Sequence, residues 1–356
     1  MKSLHIIGSK QMGGAERWFS RFLSAMRRHG EDVSAVVRCG AELAQHHMGE
    51  VPFETLPLRT VWDPLSRYEL ARLIKRSDAP IVQTYMGRAT RLTHLEPGHG
   101  KVHLSRLGGY YKLDPFRHAH AWIGNTRGLC DWMIKGGLPL HRVFHITNFA
   151  EPARAVADAE LEPLRQQLGP RADDWLMVTA GRLIDVKGQR FLVEAMSRLP
   201  EQVGGRRLRL VVLGEGDLRA PLQQQARQLG VDGRITWAGW QHDPAPWFAL
   251  ADMVVFPSRD AETLGNVILE AWAYGKPLVA TAFRGAREIA RHGEDAWVVP
   301  CDDAVALAKG IETVVRDTDL RQHMVSRGLA RIREDFSEAA VISQYRALYS
   351  QLLDNR

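Results

Sequence analysis

Several common sequence signatures are missing from this chain of 356 residues, and each absence excludes a class of protein. No run of about 18 apolar residues is present, which argues against a membrane-spanning helix. The three cysteines, Cys39, Cys130 and Cys301, are far apart and outside any CxxC spacing. This pattern argues against a disulfide framework and a zinc site, and it predicts reduced thiols in the cytosol.

Motifs for nucleic acids, dinucleotides and metals are also absent. No GxGxxG follows the first apolar segment with an acidic residue about 20 positions later, which argues against a dinucleotide-dependent dehydrogenase. No zinc-finger, RNP or basic-zipper pattern is present, so nucleic acid is not an expected partner. No DxD-like carboxylate pair follows a predicted strand, so neither a metal site nor a cofactor is predicted. The first residues, MKSLHIIGSKQMGG, are interpreted as a strand rather than a signal peptide.

The formal net charge of +6 is unevenly distributed. Residues 1–150 contain 21 Lys and Arg but only 12 Asp and Glu, whereas residues 151–356 contain 26 and 29. One interpretation is an ordinary solvated surface. The other is a basic half that meets an anionic substrate or membrane face.

Short apolar runs alternate with amphipathic segments along the chain, which predicts parallel sheets covered on both faces by helices. A segment rich in Ala, Pro and Glu at 151–163 interrupts the alternation and predicts a connection between domains. The expected fold is α/β, with two Rossmann-like, doubly wound domains at 1–150 and 160–336 facing a central cleft. Ligands of such sheets bind at the carboxyl ends of the strands.

The segment AERWFSRFLSAMRRHG at 15–30 predicts an amphipathic helix that stops at Gly30. Its apolar stripe has two interpretations: it packs into the core, or it contacts a bilayer while nearby arginines bind anionic headgroups. The apolar residues concerned are Trp18, Phe19, Phe22 and Met26, and the arginines are Arg17, Arg21, Arg27 and Arg28.

Two glutamates, Glu262 and Glu270, lie eight positions apart in the otherwise apolar and small-residue stretch AETLGNVILEAWAYGKPLVAT. A helix is predicted to begin between Leu264 and Asn266. The first N–H groups of a helix have no partners within it, and together with the helix dipole they form a site suited to phosphate. Gly265 permits close approach because it has no Cβ. A phosphate at this helix start would have one carboxylate on either side.

The spacing of these carboxylates argues against a glycosidase acid and base. Eight helical residues span about 12 Å, whereas paired glycosidase carboxylates lie about 5–9.5 Å apart. The pair is better interpreted as two separate acceptors, one for hydroxyls of a sugar and one for hydroxyls of a ribose. The alternative is that both side chains are simply solvated.

Other polar or glycine-rich segments follow predicted strands. Arg182 and Lys187 lie in AGRLIDVKGQRFLVEA, where Arg can bind a diphosphate bidentately and Lys adds a compact charge. Ordinary surface cations are the alternative. GEGD at 214–217 is only weak evidence for a ligand-binding loop, because it is equally typical of a plain turn. Gly13 and Gly14 join the first strand to the first helix and allow backbone amides to approach a ligand.

Together these segments resemble the retaining glycosyltransferases of the family-4 type, which have the GT-B fold, over most of the chain. GGAE at 13–16 is similar to the family's N-terminal loop, HRVFHITNFAE at 141–151 to the segment before its linker, and GRLIDVKG at 181–188 to its diphosphate-binding segment. The strand DMVVFPS, followed by Glu262, seven residues and Glu270, resembles the E-x7-E signature, which is the most specific match.

The resemblance implies a role for each matching residue. Arg182 and Lys187 would bind the donor diphosphate, Glu270 the ribose and Glu262 the transferred sugar, and Arg182, Lys187 and Glu262 are the predicted catalytic residues. A C-terminal helix at about 337–356 would pack on the first domain. The backbone amides predicted to bind the distal phosphate and the sugar are those of Leu264, Gly265 and Asn266.

The acceptor side is less well defined. Many family members carry a histidine in the loop after the strand that corresponds to KVHLSRL, but here the loop reads Leu107-Gly108-Gly109. His103 lies within the strand and is interpreted as filling a pocket. The candidate acceptor contacts are Glu16, Arg106, Tyr110 and Tyr111.

The expected function is transfer of a sugar from a nucleotide-diphosphate sugar to the hydroxyl of an anionic, lipid-linked acceptor, as in lipopolysaccharide core or other cell-surface glycan synthesis. The expected location is the cytoplasm, with peripheral contact to an anionic inner membrane as an open alternative.

Three other functions stay open: a nucleotide-sugar epimerase, a phosphorylase, and a non-catalytic nucleotide-sugar-binding protein. An epimerase needs additional acid and base residues in the first domain, and no obvious set is present. A phosphorylase needs a pyridoxal lysine.

Overall fold

The computed structural model describes residues 1–46, 48–95, 98–169 and 174–355. The chain divides into two compact units. Unit 1 comprises Met1–Asn148 and Glu338–Arg356, and unit 2 comprises Phe149–Ser337. Each unit contains its own mainly parallel sheet with helices between the strands.

A parallel sheet forms the centre of unit 1. Its strands are β1 (Lys2–Ile7), β2 (Asp32–Arg38), β3 (Phe53–Leu56), β4 (Ile81–Tyr85), β5 (Val102–Leu107), β6 (Ala121–Gly124) and β7 (Val143–His145). Its helices are α1 (Gly14–Arg28), α2 (Glu42–His46), α3 (Pro64–Arg76), α4 (Met86–Leu92) and α5 (Arg127–Lys135). The strand order is β3-β2-β1-β4-β5-β6-β7, so the direction of winding reverses between β1 and β4. Every residue of β4 and β5 is buried, as expected for strands covered on both faces.

The first helix shows how the sequence produces this layered arrangement. Trp18, Phe22 and Met26 recur every four residues and are all buried, so they form the inner face of α1. The helix ends at Arg28, and Gly30 takes the left-handed conformation, with φ of +81°, that commonly follows a helix C-terminus. The predicted helix at 15–30 is confirmed.

Unit 2 repeats the same winding. Its strands are β8 (Trp175–Ala180), β9 (Gln202–Val203), β10 (Arg206–Leu213), β11 (Ile235–Gly239), β12 (Met253–Phe256), β13 (Leu278–Thr281) and β14 (Trp297–Val299). Its helices are α6 (Asp158–Leu168), α7 (Gln189–Arg198), α8 (Arg219–Gln228), α9 (Ala245–Leu250), α10 (Asn266–Ala273), α11 (Arg284–Ile289), α12 (Ala304–Arg316) and α13 (Thr318–Glu334). The parallel order is β11-β10-β8-β12-β13-β14, and the short β9 pairs antiparallel with β10. Winding reverses between β8 and β12.

Alternate residues of β12 divide the core of unit 2 into two layers. Val255 packs in the cluster that contains residues of α7 and α12, whereas Val254 and Phe256 pack in the cluster that contains residues of α10. This alternation is the period of two expected of a strand. It places α10 against the face that carries Phe256, where β12 ends.

The last helix, α14 (Glu338–Asp354), belongs to unit 1. Its Tyr345 and Tyr349 are buried, and the Tyr349 hydroxyl donates a hydrogen bond of 2.7 Å to Gln83 Oε1 on β4. Near its start, Glu338 lies 2.5 Å from the Arg28 guanidinium of α1. Both apolar and polar contacts therefore hold α14 to unit 1.

Two further observations concern chain segments. The connection predicted at 151–163 is irregular only as far as Ala157, because α6 begins at Asp158. Within the described ranges, no helix is both long and apolar enough to cross a membrane.

Candidate functional site

The loops after β8 and β12 carry most of the predicted site residues. The loop at 181–188 contains Arg182 and Lys187, and the loop at 257–265 contains Glu262. The two strands are adjacent and parallel, so both loops leave the same edge of the sheet. They flank the switch point of unit 2, where ligands of doubly wound sheets bind. The predicted positions of these residues at strand ends are confirmed.

Glycines bring the backbones at this edge into direct contact. Gly188 has φ of +64°, and a Cβ there would overlap the carbonyl oxygen of Pro257. Gly214, after β10, would meet the carbonyl oxygen of Gly181 in the same way. Neither glycine can be replaced without moving a backbone, so the loop that carries Arg182 and Lys187 is held from both sides.

Side-chain hydrogen bonds connect the same loops to their neighbours. Arg259 donates hydrogen bonds to Asp185 and, at 2.9 Å, to Asp302. Thr281 donates to the carbonyl oxygen of Ser258 from the neighbouring strand β13. The site is therefore supported by polar contacts between its own loops.

Lys187 and Glu262 form the central contact of the site. Their Nζ and Oε2 atoms lie 2.5 Å apart, and the two side chains are 19% and 15% exposed. The Ser258 hydroxyl lies 3.5 Å from the same Glu262 oxygen, and Lys187 Nζ lies 5.3 Å from the centre of the Phe256 ring. The pair is therefore shielded from solvent without being fully buried.

Arg182 lies beside Lys187 but is exposed. A Cβ on the preceding residue, Gly181, would lie 3.5 Å from Lys187 Cδ, so the lysine side chain runs directly past this part of the loop. The Arg182 backbone oxygen accepts a hydrogen bond of 3.1 Å from Gln189. Within the part of the chain that the structure describes, the Arg182 guanidinium has no ion pair or hydrogen bond. Its five donors are thus available to a ligand.

The start of α10 completes this edge. The helix begins at Asn266, within the predicted window. Gly265, the residue before it, has φ of +77°, and a Cβ there would lie 2.6 Å from Phe283 and 2.7 Å from Phe256. The Leu264 side chain is buried, so only its backbone can reach a ligand. The helix start thus presents backbone amides and the positive end of a helix dipole.

Glu270 lies on α10 just over one turn beyond its start, and its side chain is half-buried. Burial raises the pKa of Tyr274, and the negative charge of Glu270 adds a smaller contribution. Glu262 precedes the helix and Glu270 lies inside it, as the spacing predicts. Among the residues that the structure describes, no group of three or more His, Cys, Asp and Glu could hold a metal ion.

Comparison with known proteins identifies the family. The family model described as glycosyl transferases group 1 matches residues 161–331, which span the site in unit 2. The lipopolysaccharide core biosynthesis glycosyltransferase LpsE of Rhizobium meliloti (strain 1021) is 34% identical over 352 residues, which cover 97% of this chain and 98% of LpsE. The chain belongs to the group 1 glycosyltransferases.

Other similar proteins agree with this assignment. The R. meliloti lipopolysaccharide core biosynthesis glycosyltransferase LpsD is 28% identical over 357 residues, covering 99% of this chain and 98% of LpsD. The crystal structure of Anabaena HepE in complex with UDP and glucose is similar with a TM-score of 0.85 and 22% identity, covering 99% of this chain and all of HepE. The likeness in structure confirms the predicted two-domain α/β GT-B fold.

The remaining predicted residues of this glycosyltransferase lie in unit 1. Gly13 and Gly14 stand at the start of α1, and the Glu16 side chain is buried in the first turn of the helix. A Cβ on Gly13 would lie 2.9 Å from Glu16 Oε2, so the carboxylate folds back towards the loop. These three residues form a second helix start at the carboxyl end of a strand.

Arg106 is a buried residue of strand β5, and this corrects the prediction that it contributes to the contacts of the following loop. It is 4% exposed within β5. Its Nε donates to the Tyr345 hydroxyl at 3.0 Å and its Nη2 to Asn148 at 2.5 Å, and the guanidinium lies 4.7 Å from the centre of the Trp18 ring. Arg106 therefore links β5 to α14 and α1.

The two tyrosines after β5 are half-buried. The Tyr110 ring meets Trp132 edge-on at 5.5 Å, and the Tyr111 ring stacks at 6.1 Å on Phe116. His103 is buried within the strand, as predicted, and its Nε2 is hydrogen-bonded to the Thr84 hydroxyl. The two tyrosines therefore pack against an apolar cluster and are only partly buried.

The bilayer interpretation of α1 is wrong. Trp18 is 4% exposed, and Phe19, Phe22 and Met26 are fully buried. Phe22 packs at 4.3 Å, centre to centre, against Tyr345 of α14. The stripe is core because α14 covers it, which could not be foreseen from the periodicity of α1 alone.

Sequence reasoning missed two features of the site. The first is the ion pair between Lys187 and Glu262, which were assigned to different parts of a ligand. The second is Arg259, which joins two loops. Opposite charges in the segments after different predicted strands were a usable signal for both, but the pairing depends on β8 and β12 being neighbours in the sheet.

Proposed function

We propose that this glycosyltransferase moves a sugar from a nucleotide-diphosphate sugar to a hydroxyl of an anionic, lipid-linked acceptor, with retention of anomeric configuration, in the synthesis of lipopolysaccharide core or a related cell-surface glycan. The observation that carries the donor half is the Lys187–Glu262 pair beside the unpaired Arg182 at the switch point of unit 2. The acceptor half is supported by the names of LpsE and LpsD and by the basic first half of the chain.

The donor diphosphate would bind between two cations and a helix start. Negative charge develops on the diphosphate as its bond to the sugar breaks, and preorganised donors aimed at that charge give the largest catalytic effect. Arg182 would bind it bidentately, and Lys187 would exchange its contact with Glu262 for a phosphate oxygen. The amides of Leu264, Gly265 and Asn266 would bind the distal phosphate. No metal is required, because these groups already supply positive charge.

The exchange would free Glu262 at the moment when the donor arrives. Its carboxylate would then accept hydrogen bonds from hydroxyls of the transferred sugar, while Glu270, further along α10, would accept them from the ribose. The acceptor would attack the face from which the diphosphate leaves, and a phosphate oxygen would take its proton, so no side-chain base is assigned. Acceptor contacts would come from Glu16, Tyr110 and Tyr111 in unit 1.

We place the enzyme in the cytoplasm, at the inner face of the membrane where a lipid-linked acceptor would be available. The three cysteines are far apart in the sequence and outside any CxxC spacing, which fits a reducing compartment.

A thermal-shift panel with UDP, GDP, ADP and their sugars tests the donor site, because a ligand that binds the native state raises the unfolding midpoint. We expect one nucleotide series to raise the midpoint of the wild type and of Lys309→Ala, an exposed lysine on α12, but not of Arg182→Ala. NMR of the product would establish the anomeric configuration. No shift with any nucleotide, or an inverted product, would overturn the proposal.

A further inference from the structure

Three large apolar side chains are exposed together at the start of α3. Trp62, Leu65 and Tyr68 are 73%, 54% and 67% exposed, respectively. Leu65 and Tyr68 lie three residues apart on one face of the helix, and Trp62 lies in the turn just before it. We call these three residues the α3 patch. Exposed apolar residues that occur singly need no explanation, but a cluster of this kind indicates an interaction surface.

Hydrogen bonds order the turn before α3, in which the Trp62 side chain lies exposed at the surface. Asp63 caps the helix by accepting hydrogen bonds from Ser66 N at 3.2 Å and Ser66 Oγ at 2.6 Å. The Trp62 N–H donates to Thr60 Oγ1 at 3.2 Å, and the Arg91 guanidinium of α4 lies 3.7 Å from the centre of the indole ring. The indole is thus fixed at the surface beside a cation.

The opposite face of α3 packs in the core of unit 1. Leu70, Leu73 and Ile74 are buried in the cluster that includes residues of β1 and β4. The patch is therefore a second apolar face of the same helix, which the core does not use.

Positive charge is in excess along the segment that carries the patch, although Arg76 is paired with Glu54. Residues 57–76 contain five Lys and Arg but only two acidic residues. One of the two, Asp63, is occupied by the helix cap. Arg67 and Arg72 are exposed on α3, and Arg91 lies against Trp62. Aromatic side chains with neighbouring arginines complement an anionic bilayer, where indole and phenol rings prefer the headgroup region.

The position of the patch in unit 1 fits a membrane-facing role. α3 follows β3, so its start lies at the carboxyl edge of the sheet. The loop with Gly13 and Gly14 leaves the parallel strand β1 at the same edge. An enzyme docked through this edge would present its proposed acceptor side to the lipid surface.

We propose that the α3 patch docks on an anionic bilayer, with Trp62, Leu65 and Tyr68 in the headgroup region and Arg67 and Arg72 against lipid phosphates. The proposal rests on the proposed function only for the source of the acceptor, since the binding itself requires no sugar transfer. Arginines near such a surface are attracted to its anionic headgroups, and this attraction is weakened by salt.

Co-sedimentation with vesicles tests the docking. We expect the full chain to bind phosphatidylcholine vesicles that contain about 30% phosphatidylglycerol and to bind pure phosphatidylcholine at least tenfold more weakly. The variant Trp62→Ala/Tyr68→Ala should lose at least tenfold in binding to the anionic vesicles. Trp240→Ala is the matched control, because Trp240 is 48% exposed in unit 2, and it should bind like the wild type.

Charge reversal gives an independent test that does not remove apolar surface. Arg67→Glu/Arg72→Glu should lose at least tenfold in vesicle binding, whereas Arg227→Glu/Arg333→Glu, which reverses two exposed arginines of unit 2, should lose little. Unfolding midpoints should stay within experimental error of the wild type, since all these side chains are exposed.

Other outcomes separate the two proposals. Wild-type vesicle binding by both patch variants would overturn the docking, and so would a dimer in solution that Trp62→Ala/Tyr68→Ala dissolves. Transfer to a lipid-free acceptor fragment should be the same for patch variants and wild type. Vesicle binding without any sugar transfer would contradict the proposed function and leave the docking intact.

Discussion

Gly13 and Gly188 occupy equivalent positions in the two units, since each precedes the helix that follows the first strand of its sheet. Gly188 has φ of +64°, and a Cβ there would overlap the carbonyl oxygen of Pro257. Gly13 is extended, with φ of −153°, and a Cβ there would meet only the flexible end of Glu16. Gly14, the next residue, has no atom within 4 Å of the position of a Cβ.

The comparison teaches that similar glycines exist for different reasons. In unit 2 the fold itself requires glycine, because backbones cross where a Cβ would stand, and the result is a rigid loop that carries Arg182 and Lys187. In unit 1 the fold does not require glycine at either position. The open space beside α1 is therefore suited to a ligand that approaches the backbone closely, and the comparison can be tested one residue at a time.

The largest effect is expected from Lys187→Ala. If unit 2 is the rigid donor site, loss of this cation should lower kcat/KM by about 10²–10³-fold, as for other charge-stabilising donors. Steady-state sugar transfer is the measurement, with Lys309→Ala as control. Activity within about threefold of the wild type would show that the ordered edge of unit 2 is not catalytic.

Gly188→Ala should have the next largest effect, on stability. The substitution combines left-handed strain with overlap against a backbone oxygen, so we expect a loss of about 2–4 kcal/mol in the free energy of unfolding, measured by urea denaturation. Gly233→Ala is the matched control in unit 2, because it has no positive φ and no atom near a Cβ, and it should change stability by less than about 0.5 kcal/mol. Equal stabilities of the two variants would mean that the fold of unit 2 does not require glycine at position 188.

Local patterns in the sequence predicted secondary-structure elements better than they predicted tertiary contacts. The four-residue spacing of Trp18, Phe22 and Met26 predicted α1, and the position of the start of α10 at Asn266 was predicted within two residues. Both depend on residues close together in the chain. The partner of the α1 stripe is Tyr345, more than 300 positions away, and no local periodicity reveals it.

In the candidate site, too, local sequence predicted the residues but not the contacts between them. Arg182, Lys187 and Glu262 were predicted as ligand-binding residues because they follow predicted strands, where ligands of doubly wound sheets bind, and because their segments resemble those of the family. Their mutual arrangement depends on β8 and β12 being neighbours, although β9, β10 and β11 lie between them in sequence. The α3 patch was missed because the segment was not recognised as a helix, and exposure is a property of the folded surface.

Acid should weaken unit 1 more than unit 2, because unit 1 buries neutral histidines in its sheet. Burial lowers the pKa of His5 on β1 to about 3, and burial also places the pKa of His103 on β5 well below its ordinary value. The unfolded chain gains protons on these groups below about pH 6.5, so their contribution to stability is complete above that pH and is lost as pH falls towards the folded-state pKa. At pH 5 the loss from His5 alone is about 2 kcal/mol.

Hydrogen exchange checks this prediction peptide by peptide. After correction for the intrinsic rate, peptides from β1 and β5 should lose more protection between pH 7 and pH 5 than peptides from β8 and β12. His5→Gln should reduce the difference. Equal losses in the two sheets would mean that the buried histidines do not distinguish the units.

The smallest effect, and the sharpest test of the comparison, is expected from Gly14→Ala. Gly14 is the first residue of α1 and is exposed, so alanine should leave the free energy of unfolding unchanged or raise it by up to about 1 kcal/mol through the unfolded chain. If the space above this residue admits a ligand, the new methyl group should lower kcat/KM by about tenfold, equivalent to about 1.4 kcal/mol, while Gly233→Ala has no effect. Full activity would mean that no ligand touches this backbone, and the glycines of unit 1 would then require another explanation.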